Sequence, residues 1–296
     1  MNAYNVTIFG IHLKLNQIAF TLPIGKNGWD IYWYGIIIAV GFLLAVIYAY
    51  KAAKRYDVNI DRMLDVILVT TPLAILCART YYVLFDPNGS VSGIKEFFGF
   101  GTSSGFAGIA IYGGVIGALA FGTATCYIRK VSVLDMYDIA AVGFLLAQGI
   151  GRWGNFINQE AYGSLTGSSF WGMTSERTVY EMGEGLVHPC FLYESVWCIA
   201  GFFILNHFSK NRKFKGEIAL LYGVWYGFGR GIIECLRTDS LMIGRIKVSV
   251  LVSGIFFVAC AVTLVIILNR LKSENKGEYD KMFDTDNKEE EQSDAD

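Results

Sequence analysis

Arg152, Asn155, Asn158 and Glu160 crowd into residues 151–163, directly after the hydrophobic run 137–150. Polar groups are costly at membrane depth, so such a cluster marks a site. Arginine grips an oxyanion through paired hydrogen bonds that lysine cannot copy. A second set, Tyr226, Arg230, Glu234 and Arg237, is spaced i, i+4, i+8 and i+11 and would line one stripe of a helix. Two uses fit that stripe. Arg230 and Glu234 form an ion pair that joins helices, or Arg230 meets an anionic ligand and Glu234 orients it. Several cations at one depth ask for an anion, and a phospholipid headgroup is an anion already at that depth.

Further candidates are scattered. Arg79, in Cys77-Ala78-Arg79-Thr80, is another cation inside an apolar run, and snorkelling to an interface is its simpler use. In Tyr112-Gly113-Gly114, small residues let helices approach closely, and a phenol beside them can also approach a substrate. His188 precedes Pro189, which suits the first turn of a helix, and it adjoins an apolar run. Glycines 151, 154 and 163 are expected to loosen the helix that carries Arg152. The six cysteines lie within or beside apolar runs without a CxxC pair, as small hydrophobes do. Nothing has the pattern of a phosphate loop, a zinc helix or a serine-hydrolase elbow. Basic patches interleaved with aromatics, as nucleic acid requires, are absent too.

The elements that must position these groups are membrane spans. Charged residues make up 17% and hydrophobic ones 53%, with a mean hydropathy of +0.41. A soluble domain would hold about 25% charged residues. Seven runs meet the length of about 20 residues that a hydrocarbon core demands: 31–50, 64–85, 106–127, 135–150, 190–208, 217–236 and 248–269. The chain therefore reads as an all-α polytopic membrane protein, a bundle of about seven transmembrane helices. Basic residues alternate between connections. Lys51, Lys54, Arg55, Arg62, Arg129, Lys130, Lys210, Arg212, Lys213 and Lys215 mark one side, against Lys14, Lys26, Lys95, Arg177, Arg245 and Lys247 on the other. The richer side is expected to be cytoplasmic, which puts the N-terminus outside and the C-terminus inside.

Residues 1–30 then form an extracytoplasmic arm, 31–269 the membrane domain, and 164–187 an extracytoplasmic connection that either caps a site or is a plain surface loop. No cleavable signal peptide is visible, because Lys14, Asn16 and Gln17 interrupt the first apolar stretch. Residues 271–296 hold four Lys and ten Asp or Glu, which leaves 21 basic against 16 acidic residues in the body. A mildly basic body suits anionic lipid. The segment 270–296 is expected to be a disordered acidic tail that catalysis does not need.

Taken together, these residues resemble the prolipoprotein diacylglyceryl transferase family. Residues 151–163 are similar to its signature, Gly-Arg-x-(Gly/Ala)-Asn-Phe-apolar-Asn-x-Glu-x-x-Gly, at every fixed position. Trp33-Tyr34-Gly35, Ala78-Arg79, Tyr112-Gly113-Gly114, His188-Pro189 with Leu192-Tyr193-Glu194, and Tyr226-Gly227 with Arg230, Glu234 and Arg237 follow in the family's order. The resemblance covers residues 31–269. It implies transfer of the diacylglyceryl group of phosphatidylglycerol to the lipobox cysteine of prolipoproteins, at the bacterial plasma membrane and toward its outer face. A thioether forms and glycerol phosphate leaves. It implies no cofactor, no metal and no nucleic-acid partner; the partners are membrane lipids and prolipoprotein signal peptides.

The resemblance also assigns residues. Arg152 and Arg230 match essential arginines. Asn155, Asn158, Glu160 and Gly163 match signature positions, and Tyr34, Tyr226 and Glu234 match further important ones. With Arg79 they would contact phosphatidylglycerol. Where some members carry a histidine proposed as general base, this chain has Tyr112. Phenols titrate near pH 10, so Tyr112 is a poor base, and His188 is the remaining candidate. The alternative reading is a membrane transporter of an anionic lipid or small anion, which would need a polar path to both faces.

Overall fold

The computed structural model describes residues 3–23, 28–86, 93–98, 108–238, 242–243 and 246–293. The apolar runs become long helices: α1 (Trp33–Ala53), α2 (Ile60–Phe85), then after the short α3 (Ile94–Phe97), α4 (Ile111–Arg129) and α5 (Val133–Ile157). After the short α6 (Glu176–Met182) come α7 (Cys190–Phe208), α8 (Glu217–Leu236) and α9 (Val248–Ser293). Six of these are long and apolar enough to cross a membrane, namely α1, α2, α4, α5, α7 and the first part of α9. The chain is an all-α polytopic membrane protein. The seventh expected span, α8, is as long as the others but carries Glu217, Arg230 and Glu234, so its polar stripe must face protein or water. The expected start of the third span, Phe106, and the topology markers Lys26 and Arg245 lie outside the described residues.

Two expectations change. Helix α5 does not break at its glycines; it runs unbroken through Gly151 and Gly154 to Ile157. The glycines serve packing instead. A Cβ on Gly154 would stand 2.6 Å from the Tyr34 ring, and one on Gly151 3.1 Å from Ile38. The second concerns the expected arm, residues 1–30, to which the sequence reading gives no secondary structure and which carries strands. Strands β1 (Tyr4–Ile8) and β2 (Ile11–Leu15) form an antiparallel hairpin, and β1 pairs on its other edge with β5 (Met173–Ser175). A second hairpin joins β3 (Ile18–Leu22) to β4 (Trp29–Tyr32). The alternation of apolar and polar residues in these short segments has the period of a half-buried strand.

Contacts divide the chain into two compact units. One comprises residues 1–45 and 141–296, the other 46–140. In the first, Tyr4 and Val6 of β1 pack with Phe156, Tyr162, Met173, Val187 and Phe191 in one buried cluster. The sheet therefore clamps the end of α5, the connection 164–187 and the start of α7. Burial pushes the Tyr4 phenol up to about 12, which keeps it neutral. The connection is a built element rather than a plain loop: Met173 exchanges backbone hydrogen bonds with Val187, and Thr166 donates to Leu186.

Helices α7 and α8 are locked by a reciprocal tryptophan pair. The indole of Trp197 donates to the carbonyl of Trp225 at 3.0 Å, that of Trp225 donates to the carbonyl of Trp197 at 3.1 Å, and the rings stack at 4.3 Å. Gly201 and Gly229 make room, since a Cβ on either would fall within 2.3 Å of an indole. Helix α9 closes on α8 over Gly223 and Gly227, where a Cβ would meet Cys260 and Ser253. Beyond Glu274 the backbone stays helical to Ser293 through the acidic segment for which the sequence suggests no regular structure; Glu and Lys, frequent there, are good helix formers.

In the second unit, α2 and α4 cross closely. A Cβ on Gly113 would lie 2.4 Å from Tyr81, and one on Gly117 2.6 Å from Cys77. Close helix approach thus accounts for Gly113 beside Tyr112. Helix α2 starts on Asn59, whose side chain accepts from the Arg62 amide at 3.1 Å. Among the described residues the six cysteines form no disulfide, and Cys126, Cys190, Cys198 and Cys260 are buried.

Candidate active site

Three helices of the first unit bring the predicted arginines to one carboxylate. Arg152, near the end of α5, donates to Glu194 Oε1 at 2.5 Å. Arg230 of α8 donates to the other oxygen, Oε2, at 2.9 Å. Glu194 lies on α7, one turn before Trp197, so the tryptophan pair also sets its height against Arg230. The Tyr226 hydroxyl points at Glu194 Oε1 from 3.5 Å. Arg230 turns its second terminal nitrogen to Glu234 at 2.6 Å, and Arg237 approaches the same carboxylate at 3.9 Å. Both glutamates are only 2% exposed, whereas Arg152 and Arg230 keep 19% and 16% of their side chains open. The Arg230–Glu234 ion pair expected of the stripe is present within α8, and the pairs that join helices run to Glu194.

The signature segment continues as a tight turn. Past Ile157 the amide of Asn158 donates to Gly154 and that of Glu160 to Asn155, at 3.0 and 2.8 Å. Gln159 and Ala161 take left-handed backbone angles, φ 56° and 57°, a conformation costly for residues with a Cβ. This turn folds Glu160 back to Asn155, whose amide donates to it at 3.4 Å, while Asn155 accepts from Arg152 at 3.4 Å. Asn158 sits half-buried at the same turn. On the far side Arg177 of α6 lies 3.8 Å from Glu160 and donates to Glu181 at 2.8 Å. That hydrogen bond holds the Arg177 guanidinium above its ordinary range.

Gly163 closes the turn against two other elements. Its amide donates to the His188 carbonyl at 2.8 Å, and it forms a β-bridge with Arg237. A Cβ there would come within 2.6 Å of the Leu236 carbonyl oxygen and 2.9 Å of Cys190 Sγ. Backbone cannot yield as a side chain can, so only glycine fits. His188 is thus beside the signature through its backbone. Its Nδ1 faces the Tyr193 hydroxyl at 3.2 Å, which in turn accepts from the Trp171 indole at 2.8 Å.

Arg79 and Tyr112 belong to the second unit. Arg79 is buried, so it does not snorkel. It donates to the carbonyls of Phe97, Gly108 and Glu96 at 3.0, 2.8 and 3.1 Å. Tyr112 is the second residue of α4 and is exposed.

Sequence reasoning left Glu194 without a role, although it quoted the residue. The signal was available: a carboxylate four residues into an apolar run is as costly as the arginines that drew attention. The tryptophan pair carried no such signal, because its meaning lies in the register between two helices.

Comparison with known proteins shows the family. The family model described as prolipoprotein diacylglyceryl transferase matches residues 18–266. A relative from Clostridioides difficile, named phosphatidylglycerol–prolipoprotein diacylglyceryl transferase, is 40% identical over 240 residues, covering 81% of this chain and 90% of its own. Relatives of the same name from Limosilactobacillus reuteri and Bacillus velezensis are 40% and 39% identical, covering 87% and 92% of this chain and 93% and 97% of theirs. With a signature intact at every fixed position and matches over nearly the whole length, the chain belongs to the prolipoprotein diacylglyceryl transferase family.

Proposed function

We propose that this chain transfers the diacylglyceryl group of phosphatidylglycerol to the lipobox cysteine thiol of prolipoproteins. One observation carries the reading. Arg152 and Arg230 come from separate helices and share the two oxygens of Glu194. A phosphodiester headgroup carries one negative charge, which this pair of guanidiniums would meet. Each guanidinium has five N–H donors, and the carboxylates do not use them all.

The reaction follows from that charge. The substrate thiolate attacks the glyceryl carbon bonded to the phosphate oxygen. A C–S bond forms, the C–O bond breaks, and its electron pair leaves with glycerol phosphate. Negative charge grows on the phosphate as the bond breaks. Fixed cations that hold it more tightly as it grows lower the barrier. The nucleophile belongs to the substrate, so no covalent enzyme intermediate is needed. A thiol has a pKa of about 8.5, and nearby guanidiniums favour its thiolate.

In this reading Arg152 and Arg230 grip the phosphate, and Asn155, Asn158 and Tyr226 orient the headgroup. Glu160 and Glu234 hold the arginines and Asn155 in place. Tyr34 shapes the wall over Gly154, and Gly163 pins the turn to α8. Arg79 is kept out of the grip, because carbonyls already occupy it. His188 and Tyr112 are the groups within which a proton acceptor is sought. The charge alternation supports an N-terminus outside, a cytoplasmic C-terminus and a site facing outward in a bacterial plasma membrane, with residues 31–269 as the catalytic domain.

Purified protein, phosphatidylglycerol vesicles and a lipobox peptide test the proposal. Mass spectrometry should find the peptide heavier by one diacylglyceryl group on its cysteine. Anion flux without any such adduct would favour the transporter alternative, which the relatives' names do not.

A further inference from the structure

The two carboxylates that hold Arg230 differ in what holds them. Glu194 is fixed by the arginines themselves and by Tyr226. Glu234 has an additional partner from outside the cluster: the Ser249 hydroxyl, in the first turn of α9, donates to its Oε1 at 2.5 Å. That leaves Oε2 for Arg230 at 2.6 Å. Two residues earlier, Lys247 at the end of β7 (Ile246–Lys247), whose hairpin partner is β6 (Met242–Ile243), turns its ammonium onto the C-terminus of α8. It donates to the carbonyls of Glu234, Arg237 and Cys235 at 2.8, 2.5 and 3.3 Å. An ammonium has three donors, and three acceptors meet it. The last carbonyls of a helix lack intrahelical partners and carry its negative dipole end, so a cation there is stabilising.

We infer that Ser249 and Lys247 are positioning residues of the anion site, acting through Glu234 on Arg230. Lys247 fixes the backbone from which Glu234 and Arg237 project, and Ser249 fixes which way the Glu234 carboxylate turns. The start of α9 thereby sets the direction of an arginine fork on α8. In the sequence, Lys247 is one more basic residue in a connection, and Ser249 is an unremarked serine at the head of an apolar span. The close approach that makes this possible comes from Gly223 and Gly227, which bring α9 against α8 about three and two turns before Glu234. The inference rests on the transferase reading and adds to it two residues that touch no substrate.

The test is a double-mutant cycle of Ser249→Ala and Glu234→Gln, read in transfer to a lipobox peptide. Partners that orient a functional group typically affect activity 10–100-fold, so Ser249→Ala should lower kcat about tenfold while the KM for phosphatidylglycerol moves less. Ser249→Thr, which keeps the hydroxyl, should restore transfer. If Ser249 acts through Glu234, the alanine change should matter less than about twofold in the Glu234→Gln background, since residues in one network are not additive. Equal losses in both backgrounds would overturn the inference, and so would wild-type rates for Ser249→Ala. A Ser249→Ala protein that does not fold would assign the hydroxyl to stability and overturn it as well. Wild-type protein that modifies no peptide would instead sink the transferase reading. The cycle is then decided on phosphatidylglycerol affinity in detergent, where Ser249→Ala should cause a smaller loss in the wild-type background and none in the Glu234→Gln background.

Discussion

Arg79 and Arg152 are both cations inside apolar helices, and they end on different partners. Arg79 spends its guanidinium on three backbone carbonyls around α3 and the start of α4. Arg152 meets a carboxylate that it shares with Arg230, and it keeps a fifth of its side chain open. A cation closed off by carbonyls is a staple: its donors are directed at fixed backbone and its charge is buried. A cation anchored on a shared carboxylate is oriented by another side chain. The same residue type, equally costly to bury, is tied to backbone in one unit and to a shared carboxylate in the other.

That contrast breaks most sharply at the shared carboxylate. Arg152→Lys keeps the charge and loses the fork. Transfer to the lipobox peptide should fall by at least about 100-fold, the scale seen when one fixed donor to a developing oxyanion is removed. Full activity would mean that point charge, not paired hydrogen bonding, is what the phosphate needs. Glu194→Gln comes next. It preserves shape but removes the common anchor, and a loss of about 10–100-fold is expected, as for other orienting partners. Kinetics of this variant at raised phosphatidylglycerol should show no recovery of kcat.

Arg79→Met should behave differently. It leaves three part-buried carbonyls without this donor, so stability should drop by about 1–3 kcal/mol, the cost of orphaning such a group. Thermal unfolding in detergent reads that loss, while turnover per folded molecule should change less than about threefold, or about 0.65 kcal/mol of barrier. A stable Arg79→Met protein with crippled turnover would place Arg79 with Arg152 and end the distinction. The smallest effect is expected for Tyr112→Phe. The change removes one exposed hydroxyl at the start of α4 and leaves the ring, so the pH–rate profile should be unchanged. A flattened alkaline limb would put the phenol into proton transfer.

Much of the site was legible because burying charge is expensive. Arg152, Arg230, Glu234, Asn155 and Glu160 stand out in an apolar chain for that reason, and the structure brings all five into one network. Helix lengths were legible too, since a hydrocarbon core demands a run of fixed length. Other features were not. The hairpins of residues 4–32 are short alternations that a hydropathy count reads as an interrupted span. Gly151 and Gly154 look like helix breakers, but whether a glycine breaks a helix or seats a neighbour depends on what lies opposite, here Ile38 and Tyr34. Gly163 was recognisable only as a motif letter until the Leu236 carbonyl was found against it.

By itself, the sequence determined that this is a polytopic membrane chain with a cluster of charged and amide side chains in its apolar spans, because composition and the cost of buried charge act locally along the chain. Only the tertiary structure decided how the charges are shared. Glu194 lies 42 residues from Arg152 and 36 from Arg230. No spacing rule links such positions. The register of α7 against α8 brings them together, and that register is set where two indoles interlock over two glycines.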